Sequence, residues 1–223
     1  MQKIIPSFFL LLLTPTLLVN VFASVQNEPT LQPGAPRLVY KEGDVSALMR
    51  GTAQAVALEQ KGMILKEGLT ITTGDESYCD IAFDEGLKNF VSIGPNSELE
   101  IGKDFKELKI SNGRIFSQLK NLPSDLQFEI VTPQAIAKVH GAIWESNAGT
   151  VVSFNVQNGI VDVRGIGKDG KVTGQSNVLA GHSIAVDQNG RLGRPSKVII
   201  EDEERMKNWS DRMEWILSVV SDI

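Results

Sequence analysis

Few side chains in this sequence could do chemistry, and their spacing does not assemble a reactive site. The reactive side chains are one cysteine, Cys79, and two histidines, His140 and His182. A zinc site needs three or four such ligands, and a cysteine nucleophile needs a histidine beside it. Alternation along the chain places Cys79 on one face with Ile81 and Phe83, which indicates a small buried apolar side chain. We therefore expect neither a metal site nor a catalytic thiol.

The acidic residues offer oxygen ligands, but not in the order of a cation-binding loop. Asp80, Asp84 and Glu85 lie close together in the sequence. Their spacing is not that of a dedicated calcium site, so we expect a solvated acidic face. The sequence also has no phosphate-binding glycine loop, no serine nucleophile elbow and no paired catalytic carboxylates. These observations predict a protein that is not an enzyme and that holds no cofactor.

The N-terminus predicts export. Lys3 precedes an apolar run over residues 4–18, and Ala23 offers a small-residue cleavage site. This order is that of a secretory signal peptide, so residues 1–23 are expected to be cleaved; an uncleaved anchor is the alternative. The uninterrupted apolar part is shorter than the roughly 20 residues of a membrane span. We expect a periplasmic or secreted protein without a stable membrane span after cleavage.

Composition excludes one class of partner. The chain has 22 Lys and Arg residues against 27 Asp and Glu residues, a formal net charge of −5. A nucleic-acid-binding protein would carry a basic stripe, so no nucleic-acid partner is expected. The length suits one domain with an appendage. Residues 24–37 contain three prolines and read as a linker.

The body of the chain has the pattern of an all-β domain. Over residues 38–192, short apolar and β-branched segments recur about every 8 to 12 residues between turn residues. This spacing predicts a short-stranded β-sandwich or solenoid-like domain. Asn112-Gly113 and Asn158-Gly159 predict hairpin turns, since Asn-Gly favours positive φ. A further hairpin is predicted around Asp84-Glu85-Gly86, and residues 54–59 alternate like a strand.

The C-terminal residues 200–222 predict an amphipathic helix. Acidic residues fill its first turn, where the helix dipole favours anions. Its apolar residues recur at spacings of three and four, which is one helix face: Met206, Trp209, Met213, Ile216 and Val220. One interpretation is that this face packs on an open end of the β domain and covers strand edges. The other is that it docks on another subunit or on a membrane surface.

The stretch from Val131 to Trp144 is the most distinctive part of the sequence. Pro133 biases Thr132 to an extended conformation, so one strand can end there and another begin. The next strand would turn the small residues Ala135 and Ala137 inward, together with the apolar residue that ends it, Val139.

Three residues at the end of this stretch are candidates for function. Alternation turns His140 towards solvent or a partner. Gly141 is expected to allow close approach of two backbones or a positive φ, so Gly141→Val should destabilise the fold by about 2 kcal/mol or more. Trp144 could anchor the core or, like Tyr78, present a stacking face to a sugar.

In their order, the short motifs of this chain resemble the FecR protein family. The resembling segments are residues 68–77, 80–86, 93–99, 112–116, 128–133, 135–141, 158–163 and 179–181. One departure is His140-Gly141-Ala142, which stands where the family usually has Arg-Gly-Thr. FecR domains are extracytoplasmic modules of bacterial iron-transport regulators and of many other exported proteins. The regulators also carry a sigma-factor-binding segment and a membrane span, whereas this chain has a predicted cleavable signal. The resemblance therefore implies fold and location but not transmembrane control of transcription.

Three functions follow as expectations. The first is a non-enzymatic extracytoplasmic module that binds a protein or a cell-envelope polymer. The second is a component of envelope-stress or iron-transport signal transduction, with the C-terminal helix docked on a membrane partner. The third is a glycan-binding module that uses Trp144 or Tyr78 as its platform.

Overall fold

The chain folds into strands followed by one long helix. The computed structural model describes residues 35–52, 55–59, 61–120 and 127–220. Within them the strands are β1 (Arg37–Glu42), β2 (Val45–Met49), β3 (Leu69–Thr73), β4 (Tyr78–Ala82), β5 (Phe90–Ile93), β6 (Glu98–Ile101), β7 (Glu107–Leu119), β8 (Phe128–Val131), β9 (Ala135–Val139), β10 (Ala142–Ala148), β11 (Val152–Ile166), β12 (Val172–Leu179), β13 (His182–Val186) and β14 (Ser196–Lys197). A 3-10 turn covers Lys103–Phe105, and the helix α1 is Ile200–Val220.

The predicted fold class is confirmed: strands dominate, and one α-helix ends the described chain. The predicted signal peptide, residues 1–23, and all but the end of the predicted linker lie outside the described residues. Among the residues that are described, no helix has both the length and the apolar character needed to cross a membrane.

Two sheets share two long strands. Sheet A has the order β1-β4-β5-β7-β10-β11-β13-β14, and sheet B has the order β2-β3-β6-β7-β8-β9-β11-β12. Every pairing is antiparallel except the parallel contact of β7 with β8. Because β7 and β11 belong to both sheets, the sheets are joined covalently as well as by packing.

The two Asn-Gly hairpin predictions are wrong, and glycine geometry explains why. Gly113 lies inside β7 and Gly159 inside β11, each with positive φ (88° and 81°). At Gly113 the strand passes from sheet B to sheet A, and at Gly159 from sheet A to sheet B. The paired strands shift register nearby, as at a β-bulge. The glycines therefore bend continuous strands rather than reverse the chain.

Of two other local predictions, one is confirmed in part and one is wrong. Strands β4 and β5 pair as the predicted hairpin, but their connection runs over residues 83–89, longer than a three-residue turn. Asp84 stabilises this longer loop, because its carboxylate accepts hydrogen bonds from the backbone N–H groups of Lys88 and Asn89. The strand predicted over residues 54–59 does not form in its described part, 55–59, which makes only an isolated bridge from Ala55 to Leu48.

One apolar core fills the space between the sheets. It takes Ile71 and Leu99 from sheet B and Ile81 and Ile93 from sheet A, each exposed by no more than 1%. The inward face predicted for the residues after Pro133 is confirmed; Ala135, Ala137 and Val139 are all buried in this core.

The close approach predicted at Gly141 occurs instead at Gly159. Gly141 does not have positive φ, and a Cβ there would lie 3.8 Å from the Leu119 carbonyl oxygen, an ordinary contact. A Cβ on Gly159 would lie 2.5 Å from the Gly141 carbonyl oxygen and 3.0 Å from Cα of Ala142. Of these two glycines, Gly159 is therefore the one that cannot carry a side chain, and it lies opposite Ala142 on the paired strand.

We expect Gly159→Val to destabilise the fold by about 2–4 kcal/mol, because it combines positive-φ strain with overpacking. The matched control, Gly141→Val, should cost less than about 1 kcal/mol, since its site is exposed and open. Urea unfolding of both variants measures the difference. Equal losses would contradict the assignment of the close contact to Gly159.

Candidate functional site

Thr132 and Pro133 form a tight turn between β8 and β9, and His140 and Gly141 lie at the surface after β9. The Thr132 hydroxyl accepts a hydrogen bond from the Ala135 N–H (2.9 Å) and donates one to the Ala135 carbonyl (3.0 Å). These bonds close the turn at Pro133, which is exposed. His140 and Gly141 lie at the next turn and are exposed as well. The predicted outward direction of His140 is confirmed.

A groove lies beside this second turn, which we call the β9–β11 groove. It has a volume of about 540 Å³ and is lined by Gln127, Lys138, His140, Gly141, Gly159, Ile160, Asp162, Arg164 and Asn177. Neighbouring strands supply these side chains because β11 pairs with β9 on one side and β12 on the other. Of the candidate residues Thr132, Pro133, Val139, His140, Gly141 and Trp144, only His140 and Gly141 therefore line this concave surface.

The charges in the β9–β11 groove are paired with each other or with neighbours. Lys138 contacts Glu129, and Arg164 Nε lies 3.3 Å from Oδ1 of Asp162. Gln175 donates a further hydrogen bond to Asp162. Paired groups of this kind can recognise polar surfaces. The imidazole of His140 lies beside them at the exposed side of the groove.

The structure does not bring the candidate metal ligands together. Across residues 35–220, apart from the short gaps in the description, no group of three His, Cys, Asp or Glu side chains is placed to hold a metal ion. His140 lies in the groove, whereas His182 starts β13, with its Nδ1 3.1 Å from the Ala180 carbonyl oxygen.

Cys79 is buried in the core, as the alternation predicted. Burial raises the pKa of the Cys79 thiol above its usual range, and the neighbouring Asp80 carboxylate adds to the increase. We expect alkylation of the native protein by iodoacetamide at pH 8 to be at least about 100-fold slower than in urea. An added Thr72→Cys cysteine, at an exposed position, should react without urea. Equal labelling of both thiols in the native protein would contradict the buried placement.

The predicted amphipathic helix is confirmed, and its apolar face packs within the chain. Met206, Trp209, Met213 and Ile216 are each exposed by 6% or less, and Val220 packs against the same cluster. The cluster includes Val39, Ala82, Phe90 and Phe116 from the outer face of sheet A. The helix therefore lies on the face of a sheet, where we expected an open end and strand edges. These side chains are not free to dock on another subunit or a membrane.

Trp209 is the centre of this contact. Its ring stacks on Phe116, with centroids 5.0 Å apart and planes at 11°, and lies 5.7 Å from the Phe90 ring. Aromatic pairs of this geometry add to the free energy gained by burying their surface. The indole nitrogen of Trp209 is buried without a hydrogen-bond partner among the described residues.

Two arginines of α1 bind buried carboxylates of sheet A, and neither pair was predicted from the sequence. Arg212 donates to Asp80 through Nη1 (3.1 Å) and Nη2 (3.0 Å), and Asp80 is fully buried. Arg205 donates to Glu145 through Nε and Nη2, both at 2.8 Å, and Glu145 is 1% exposed. Arg114 of β7 also lies 3.2 Å from Glu145. The prediction of a solvated acidic face is therefore wrong for Asp80.

The other two acidic residues, Asp84 and Glu85, differ in exposure. Asp84 is also buried and is used by the loop after β4, as described above. Glu85 is exposed, as predicted, and pairs with Arg37 at 3.3 Å. An acidic side chain is therefore buried where a backbone N–H or an arginine can donate a hydrogen bond to it. Alternation along the sequence does not reveal such donors.

Of the two aromatic platforms proposed for a glycan, one is buried and the other is covered on one face. Trp144 is 1% exposed and donates its indole N–H to the Ser146 hydroxyl at 2.9 Å, so it anchors the core. The Tyr78 ring is covered by the Arg212 guanidinium, whose central carbon lies 4.3 Å from the ring centroid. A cation–π contact on one face leaves less room for a sugar to stack. The glycan interpretation loses Trp144 and is weakened at Tyr78.

Comparison with known proteins confirms the family resemblance over part of the chain. The model of the FecR protein family matches residues 69–162. None of the curated proteins compared with the chain matches it. The matched residues run from β3 into the second half of β11 and include the whole 131–144 motif, while α1 lies outside them.

Two solved structures are similar to this chain, both from Parabacteroides distasonis ATCC 8503 and both described as "a putative anti-sigma factor". The structure at 1.65 Å resolution is 18% identical with a TM-score of 0.46, and the one at 2.50 Å is 17% identical with a TM-score of 0.47. Each match covers 57% of this chain and 59% of the other. The chain thus spans little more than half the length of these relatives.

Proposed function

Because this chain carries a FecR family region at residues 69–162, we propose that it is a non-enzymatic extracytoplasmic module that binds a protein or cell-envelope partner. The observation that carries the proposal is the β9–β11 groove beside His140 and Gly141. It is a concave surface that combines apolar area with paired charges, and it lies at the most distinctive motif of the sequence. Its charged groups are held in pairs, so it is suited to recognition.

Exposed apolar area beside the groove supports binding of a macromolecule. Ile160 lines the groove and is 53% exposed, and Leu179, opposite it on β12, is also 53% exposed. Apolar side chains with a polar rim are the usual composition of a protein-binding surface. A protein partner therefore fits this surface better than a small ion does.

Site-specific photo-crosslinking tests this proposal. A photoreactive residue at Ile160, in cells that express the full chain, should give a discrete adduct with another protein. The matched control is Ile64, which is equally exposed (57%) but remote in sequence from the groove strands. An adduct from Ile160 that is absent from Ile64 supports the proposal. The same adducts from both positions, or none from either, would count against it.

The extracytoplasmic location is part of the proposal and rests on the N-terminal sequence. Mass spectrometry of the mature protein should find Ser24 as its first residue, with the protein in the periplasmic or secreted fraction. An intact Met1 on protein from the cytosolic fraction would contradict this location.

Signal transduction is the second candidate, and the FecR family match favours it. In this case the groove partner would be a component of envelope-stress or iron-transport signalling. Deleting the gene should change transcription of a small set of genes under iron limitation or envelope stress. The change should be reproduced by Ile160→Lys, which alters the groove without touching the core. An Ile160→Lys strain with wild-type transcription would argue for binding without signalling.

A further inference from the structure

One edge of sheet B is protected only near its start, where the β11–β12 ladder has a bulge at Thr173 and the Thr173 hydroxyl donates to the Gly190 carbonyl. Strand β12 pairs with β11 and with no other strand among the described residues. Its eight residues, Val172–Leu179, include no charged side chain and no proline. Exposed edges of this kind usually pair with another strand, because their backbone N–H and C=O groups remain free.

The other three edges are each blocked. Strand β1 carries Arg37, Lys41 and Glu42, and its Leu38 N–H donates to the Met63 carbonyl at 2.9 Å. Strand β2 is covered by the following segment, where the Val56 N–H donates to the Ala47 carbonyl at 2.8 Å. Strand β14 is two residues long. The contrast identifies β12 as the one open edge within the described part of the chain.

The ladder shows which backbone groups of β12 are free. The Ala180 N–H donates to the Gly159 carbonyl, and the register is regular from there to the pair of Gly165 with Gly174. In an antiparallel ladder, hydrogen-bonded pairs alternate with non-bonded ones. The N–H and C=O groups of Gln175, Asn177 and Leu179 therefore point away from β11.

We propose that β12 pairs with β12 of a second copy of this chain, in an antiparallel dimer with two-fold symmetry. An isologous contact places the same surface on both sides, so it must be self-complementary. In a pair centred on Ser176, Gln175 of one copy lies opposite Asn177 of the other, and their outward backbone groups meet. The single charged residue beside the strand, Lys171, then lies opposite the uncharged Gly181. No like charges face each other along this ladder.

The proposed contact between the two copies is small. Pairing of one strand per copy is at the low end of the range of protein interfaces, so the dimer should be weak and concentration-dependent. This self-association is independent of the binding function proposed for the β9–β11 groove. The two surfaces share Asn177, which both dimer variants change, so the measurements separate the proposals: sedimentation of the purified chain reports the dimer, and photo-crosslinking from Ile160 reports the groove partner.

Analytical ultracentrifugation over a wide concentration range tests the proposal. The protein is purified from cells that express the full chain. Wild type should form a reversible dimer. Gln175→Lys with Asn177→Lys should raise its dissociation constant by at least about tenfold, because lysines then face each other across the pair. The control, Thr72→Lys with Gln157→Lys, adds the same charge at exposed positions on other strands and should change the constant less than about twofold.

A second variant avoids any change of charge. Asn177→Pro removes an outward N–H, and proline is tolerated on an edge strand at such a position, so we expect the ladder with β11 to persist while the dimer weakens. Hydrogen exchange should also show protection of the amides of Gln175, Asn177 and Leu179 that rises with protein concentration. Circular dichroism confirms that each variant is folded.

Three results would overturn the proposal. A wild type that stays monomeric with fast exchange at these amides would leave the edge to a strand of another protein. A monomer with slow exchange there would mean that another part of its own chain covers the edge. A dimer that both the lysine and proline variants leave unchanged would place the contact on another surface.

Discussion

Arg212→Ala should destabilise the folded chain by about 3–5 kcal/mol, which is the usual loss when one partner of a buried ion pair is removed. Asp80 is fully buried, and both its oxygens accept hydrogen bonds from the Arg212 guanidinium. Without the arginine, the carboxylate stays in the interior beside the Ser92 hydroxyl, a neutral donor. Urea unfolding at pH 7 measures the loss. Arg37→Ala, which removes an exposed pair with Glu85, should cost less than about 1 kcal/mol.

The effect of Arg212→Ala should depend on pH in a defined direction. Burial raises the pKa of Asp80 above its usual range, and hydrogen bonding and charge from Arg212 oppose this increase. Removing Arg212 therefore raises the pKa of Asp80 further. The folded variant then binds a proton more tightly than the unfolded chain does, so its stability falls as pH rises through the folded-state pKa. Its deficit relative to wild type should be smaller near pH 4 than at pH 7.

A double variant separates the ion pair from the rest of the contact. Asp80→Asn with Arg212→Ala removes both charges, so it should recover part of the stability that Arg212→Ala loses. Its deficit should also lose the pH dependence described above. If Arg212→Ala were no more destabilising than Arg37→Ala, the pair would not be desolvated as the structure shows.

The helix was predictable from sequence, while its binding site on the sheet was not. The spacing of Met206, Trp209, Met213 and Ile216 identified the buried face, because helical periodicity is a local property. The partners of that face are distant in sequence: Asp80 lies 132 residues before Arg212, and Glu145 lies 60 before Arg205. A single sequence carries no record of such pairings.

One signal for these pairs was nevertheless present. Arg205 and Arg212 lie four residues before and three after Trp209, so they flank the apolar stripe on the same side of the helix. Arginines in this position can extend their guanidinium groups to the surface beneath the helix. On the sheet, Asp80 points to the opposite face from Cys79 and Ile81, the same face as Ala82, which α1 covers; a carboxylate buried there needs a partner.

The two Asn-Gly dipeptides show where local rules fail. At Gly113 and Gly159 the dipeptide supplies the positive φ that a hairpin would use. Here the tertiary structure uses the same conformation to bend a strand that belongs to two sheets. The motif around Val139 and Trp144 was better predicted, since inward alternation and aromatic burial follow from the core that every sandwich needs.

Trp209→Ala should destabilise the chain by about 3–5 kcal/mol, the cost of removing a buried aromatic ring and leaving a cavity. The ring joins α1 to sheet A through Phe116 and Phe90, so its loss weakens the whole contact between helix and sheet. Trp209→Phe should lose much less, since it keeps most of the apolar surface and deletes an indole N–H that has no acceptor in the described chain.

Trp215 provides the matched control on the same helix. It is 53% exposed and touches Tyr40 edge-on at 5.9 Å, so Trp215→Ala should cost less than about 1 kcal/mol. Urea unfolding followed by circular dichroism applies equally to all three variants, since it does not depend on tryptophan emission. If Trp215→Ala were as damaging as Trp209→Ala, the helix would rest on the sheet by a different face. The apolar stripe predicted from the sequence would then be the exposed one, and the docking interpretation of α1 would return.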